Sequence, residues 1–115
     1  IKWAPNVSEA QLTSLYRKSI GLIQPSLYEG FGLPVIEAMY HRKNVLACDN
    51  SATSEIGLDN CVYFDPKDPD DLRDKIYEIH KGKHESKKES GFKRAVSFRP
   101  EAQGEKFNQI VNKLI

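Results

Sequence analysis

No apolar run in this 115-residue chain approaches the length needed to cross a bilayer, and no signal-peptide pattern opens it. Charge of one sign is also missing. Seventeen Lys and Arg face sixteen Asp and Glu, for a formal charge of +1, so no general attraction to nucleic acid follows. Cysteine is scarce. Cys48 and Cys61 each lie in an apolar, strand-like run and read as buried thiols rather than a disulfide or a metal pair, consistent with a reducing, cytosolic setting. His41, His80 and His84 form no ligand constellation: His80 and His84 share a helical spacing, but no third ligand stands near them. No internal repeat and no low-complexity linker interrupts the chain, and its length suits one small domain.

What is present is an alternation of helical and strand patterns, which argues for an α/β class. Ser8-Glu-Ala-Gln11 reads as a capping box, followed by an apolar stripe of Leu12, Leu15 and Tyr16 at helical spacing. Ile20–Ile23 is a short apolar run of the kind that forms a buried parallel strand. A helix runs from Pro34 to about His41. Val45–Cys48 is the next strand, Thr53–Ile56 a short helix and Val62–Phe64 the last strand. Asp68 caps a helix opened by Pro69, with Asp70 and Asp71 favourable in its first turn and Leu72, Ile76 and Ile79 facing inward. A helix near Glu85–Phe98 follows, broken by Gly91 and ended by Pro100. A final helix carries Phe107, Ile110, Val111 and Leu114.

The most informative stretch joins the first strand to the second helix: Pro25-Ser-Leu-Tyr-Glu29-Gly30-Phe31-Gly32-Leu33-Pro34-Val-Ile-Glu37. Pro34 suits the first helical position, where its missing N–H costs nothing. Strand, glycine loop and helix in succession turn free amides and the positive end of the helix dipole toward one crevice, which suits a phosphate. Glycines let a ligand approach the backbone, and the carboxylates of Glu29 and Glu37 accept hydroxyl hydrogen bonds. Phosphate donors beside hydroxyl acceptors describe a nucleotide-sugar. Taken without its wording, the loop reads equally as a structural turn.

That wording, Pro-Ser-x-x-Glu-Gly-Phe-Gly-Leu-Pro-x-x-Glu-Ala-Met, resembles the donor-site motif of glycosyltransferase family 4, with seven residues between its two glutamates. The resemblance continues through Val45-Leu-Ala-Cys-Asp49, Ser54-Glu-Ile56 and Tyr63-Phe-Asp-Pro66, and reaches back to Leu12-x-x-Leu-Tyr16. It implies a retaining, metal-independent transferase of GT-B fold. The chain is then a Rossmann-like parallel sheet with flanking helices, the later part of the C-terminal, donor-binding domain. Carried over by position, Glu37 would accept hydrogen bonds from the ribose hydroxyls. Glu29 would contact the donor sugar near the reacting carbon. The amides of Gly30, Phe31, Gly32 and Leu33 would face the sugar and the diphosphate. The implied substrate is a nucleoside-diphosphate sugar, with no resident cofactor, and a hexosyl group would pass to a glycan or lipid-linked acceptor held by a further, N-terminal domain, in surface polysaccharide or glycoconjugate synthesis. The family setting is cytoplasmic or peripheral at the inner face of the membrane. Ile1–Trp3 would be the domain's third strand, and the strand at Ile20–Ile23 would carry an open edge able to pair with another chain.

Several features argue for bland roles. Asp68-Pro-Asp70 matches a metal-site pattern of another transferase fold, yet it stands where a helix begins and reads as a cap. Both motif glutamates belong to one strand-loop-helix unit, which favours positioning over the flanking acid–base geometry of glycoside hydrolysis. The basic run between Lys81 and Arg99 reads as an exposed helix before it reads as a surface for anionic lipid. Arg42 stands where the family places a helix-ending glycine, a left-handed position that costs a side chain roughly 1 kcal/mol. Asn44 replaces a proline. A non-catalytic nucleotide-binding module and, more distantly, a GT-B epimerase are the other readings.

Overall fold

The computed structural model describes residues 1–26, 32–49 and 51–98. Within them a three-stranded parallel sheet of order β1-β2-β3 is built from β1 (Gly21–Gln24), β2 (Asn44–Cys48) and β3 (Val62–Phe64). In register, Leu22 lies beside Val45 and Leu46 beside Val62. The helices are α1 (Glu9–Lys18), α2 (Leu33–Tyr40), α3 (Ser51–Gly57), α4 (Pro69–His80) and α5 (Ser86–Val96), with a 3₁₀ turn at Leu58–Asn60.

Alternation along a strand explains why β2 reads as a continuous apolar run. Every one of its residues is buried, because each face of the sheet is covered. Val45 and Ala47 point into a core with Tyr16, Val35, Met39 and Ala95. Leu46 and Cys48 point the other way, onto Val62, Phe64 and Ile79, with Leu72 and Ile76 of α4 packed beside them. The fold is therefore a Rossmann-like α/β layer structure, with α1, α2 and α5 on one face and α4 on the other.

Local signals set most boundaries. Ser8 and Gln11 form the reciprocal capping box at the start of α1. Asp68 accepts from the amides of Asp70 and Asp71 to cap α4. At the end of α2, Arg42 takes the left-handed conformation with φ 55°. The Lys43 amide then reaches the Ala38 carbonyl and the Arg42 amide reaches that of Met39, which is a Schellman closure. Its strain is offset by the guanidinium, which lies 3.6 Å over the Phe92 ring and pairs with Glu89 at 3.0 Å.

Two expectations need correction, and a third, the exposed basic helix, holds with a qualification. α5 is unbroken at Gly91: a glycine there is buried against Met39, whose Cγ would lie 3.3 Å from an added Cβ, so it serves helix crossing rather than helix ending. Residues 1–4 form no strand, and Ile1 and Trp3 are exposed. A strand needs a hydrogen-bonding neighbour, and none lies beside them among the described residues. The basic run is also less free than its composition suggests. Lys87 donates to the Asp59 carbonyl, and Arg94 donates to the carbonyls of Ile56 (3.0 Å) and Glu55 (2.8 Å), tying α5 to the end of α3. Pro100 and the helix expected around Phe107–Leu114 lie outside the described residues.

Candidate functional site

Parallel α/β sheets bind ligands outside the carboxyl ends of their strands. At that end β1 runs out at Gln24, whose side-chain amide donates to Ser26 at 3.0 Å, and β2 at Cys48, whose thiol lies 3.4 Å from the Pro25 carbonyl. Beyond β2, Thr53 of α3 donates to the Cys48 carbonyl at 2.5 Å, and Ser54 donates to the Asp49 carboxylate. Glu29, Gly30 and Phe31 lie outside the described residues; Gly32, Leu33 and Glu37 lie within them.

Gly32 precedes α2 in the left-handed region, φ 77° and ψ 36°, a conformation that glycine adopts without strain. Its carbonyl accepts from the amides of Val35 (3.1 Å) and Ile36 (3.3 Å). Pro34 occupies the first turn, no side chain among the described residues caps the helix, and no acidic residue lies in that turn. The positive end of α2 is thus left uncompensated by the described residues.

Glu37 sits one turn further, half-buried. The phenol of Tyr16, from α1, donates to its Oε2 at 3.0 Å and lies 3.5 Å from the Pro34 carbonyl. No ion pair among the described residues involves Glu37. Burial pushes its carboxyl above the usual range, and the Tyr16 hydrogen bond pulls part of the way back. Tyr16 is itself buried, its ring stacked on His41 with centroids 5.2 Å apart. Burial and the neighbouring carboxylate drive the phenol far above its ordinary range, so it remains a donor. His41 is held below its usual value by burial and by the nearby Arg17 and Lys43.

The sequence placed Tyr16 in an apolar stripe and missed its hydroxyl contact. The two residues are 21 apart in the chain, and only the packing of α1 on α2 reveals the pair. The one advance signal was a tyrosine, with its polar tip, on the inward side of an amphipathic helix.

Such an arrangement can hold hydroxyls at a carboxylate and an anion at a helix start. The model of the family described as glycosyl transferases group 1 matches residues 1–95, which contain this whole unit. The chain belongs to the group 1 glycosyltransferases. Its Rossmann-like sheet is that of the C-terminal domain in their GT-B fold. Among curated group 1 relatives, it is 37% identical over 76 residues (66% of this chain, 9% of the relative) to the serotype-specific mannosyltransferase WbdA of Escherichia coli. It is 39% identical over 62 residues (54% and 18%) to the O-antigen chain mannosyltransferase RfbU of Salmonella typhimurium. An uncharacterized glycosyltransferase of Methanocaldococcus jannaschii is 35% identical over 71 residues (60% and 20%). The chain therefore spans between 9% and 20% of the length of these relatives.

The remaining candidates take structural roles. Asp68 caps α4, and His84 bonds to Glu78 at 2.8 Å. Among the described residues no group of three His, Cys, Asp or Glu is placed to hold a metal ion, and no helix is long and apolar enough to cross a membrane. Both cysteines are free and buried. Burial raises the Cys61 thiol to about 11, well away from reactivity.

Proposed function

We propose that this domain holds the nucleoside-diphosphate sugar of a retaining hexosyltransferase of glycosyltransferase family 4. Glu37 accepts the ribose hydroxyls, the backbone from Gly30 to Leu33 faces the sugar and diphosphate, and Glu29 contacts the sugar near its reacting carbon. One observation carries the reading: among the described residues, Glu37 is a half-buried carboxylate with no cation paired to it, one turn into a helix whose start has no side-chain cap and no acid in its first turn. A carboxylate kept in that state costs stability, and receiving ligand hydroxyls gives it a use.

The relatives named as mannosyltransferases support mannose as the transferred sugar and surface polysaccharide as the product. In the reaction the bond from the anomeric carbon to the diphosphate oxygen breaks. A bond to the acceptor oxygen forms on the same face, and the acceptor proton passes to the departing diphosphate. This domain's share is orientation and electrostatic support of the leaving group. The nucleotide-sugar is substrate, and the reading invokes no resident cofactor. The acceptor is held by parts of the protein beyond this domain.

Calorimetric titration of the chain with GDP, UDP and ADP, each beside the Glu37→Ala variant, tests the reading. Binding of one nucleotide that weakens at least tenfold in the variant, about 1.4 kcal/mol, is expected. Equal affinity in both proteins overturns the role of Glu37.

A further inference from the structure

We propose that Tyr16 is the positioning residue for Glu37: its hydroxyl fixes Oε2 and leaves Oε1 as the oxygen presented to a ribose hydroxyl. This rests on the donor-site reading above and adds to it a residue from a different element. The phenol is held on several sides. Its ring is buried and stacked on His41 at an interplanar angle of 14°, and its oxygen stands between Glu37 Oε2 at 3.0 Å and the Pro34 carbonyl at 3.5 Å. With one proton to donate, the phenol gives it to the nearer and charged acceptor.

Two consequences follow for the carboxylate. Its rotamer is selected before ligand arrives, which removes an ordering cost from binding. The Tyr16 hydrogen bond also favours the ionised form, opposing part of the larger rise in proton affinity that burial causes. Tyr16 is the one titratable group in direct contact with Glu37 among the described residues; the Tyr16 ring stacks on His41, just after α2, which in turn feels Arg17 of α1 and Lys43. His41 titrates on the way to acid pH, so affinity alone would mix two groups. The Glu37 carboxyl signal must be followed directly.

The test is a ¹³C titration of the Glu37 carboxyl in the ligand-free chain, for wild type and Tyr16→Phe, with GDP and UDP affinities measured at pH 7 in both. In Tyr16→Phe the carboxyl is expected to titrate at higher pH, and affinity for the nucleotide that binds is expected to fall about fivefold, the scale of one hydrogen bond. Should phenylalanine loosen the core, a fluorotyrosine placed at position 16 keeps the shape and strengthens the donor. The Glu37 titration must then move to lower pH. An unmoved carboxyl titration in a folded variant overturns the positioning role. If Glu37→Ala still weakens binding in that case, only the Tyr16 inference fails; if Glu37→Ala binds like wild type, the donor-site reading fails with it.

Discussion

Two helices in this domain open with a proline in the first turn, and they treat their amino-termini in opposite ways. α4 is self-sufficient: Asp68 caps it, Asp70 and Asp71 sit in its first turn, and Asp71 also accepts from the Asp65 amide at 2.8 Å and pairs with Lys75 at 2.6 Å. α2 begins at a left-handed Gly32, has no acid in its first turn, and among the described residues has neither a side-chain cap nor a cation paired to its one carboxylate, Glu37. The carboxyls respond in opposite directions. Pairing and hydrogen bonds lower that of Asp71, whereas burial raises that of Glu37. A helix start that satisfies itself is architecture. One left open beside a costly carboxylate points to a ligand.

The contrast can be broken in several places. The largest effect is expected for binding: Glu37→Ala should cost at least tenfold in nucleotide affinity, while Asp71→Asn leaves affinity unchanged in the same titration. Making α2 resemble α4 comes next. Gly32→Asp places an acid at the open helix start, on a residue type that tolerates the left-handed region. It should weaken nucleotide binding several-fold, with Gly32→Asn, the uncharged control, losing less. Removing the cap of α4 by Asp68→Ala should cost about 1 kcal/mol in urea unfolding and nothing in affinity.

Smaller, but diagnostic in sign, is the pH dependence of stability. A carboxyl whose folded pKa is raised binds its proton more tightly folded than unfolded, so its contribution is most favourable below the unfolded value of about 4.5 and is lost as pH rises through the folded value. Asp71 and Glu78, with lowered values, contribute above their unfolded pKa and lose that contribution as pH falls. Glu37→Gln should therefore unfold about 0.5 kcal/mol later than wild type at pH 7, the modest gain typical of relieving a functional site. It should match wild type near pH 4. The smallest change is expected at the other end of α2. Arg42→Gly relieves a left-handed side chain but gives up the contacts to Phe92 and Glu89, leaving stability within about 0.5 kcal/mol.

Much of this is legible in the sequence alone. The capping box at Ser8, the cap at Asp68 and the strand at Val62–Phe64 are local, written within a few residues of chain, and the left-handed Arg42 follows from the glycine that the family resemblance places there. What escaped was long-range. Gly91 looked like a helix breaker because its partner, Met39, is some fifty residues away in sequence. The compensation of Arg42 by Phe92 and Glu89 crosses the same interface. The Tyr16–Glu37 hydrogen bond depends on how α1 lies on α2. Asn44, which stands where the family has a proline, is fully buried with no hydrogen-bond partner for either side-chain polar atom among the described residues. Its cost depends on burial that no local pattern discloses.

The most direct test of the central contrast is an amide-resolved NMR titration of the chain with the nucleoside diphosphate that binds in calorimetry. The account predicts that shifts concentrate at Gly32, Leu33, Glu37 and Tyr16, leaving Asp70 to His80 of α4 unmoved. Shifts along α4 with the α2 start unperturbed would contradict it.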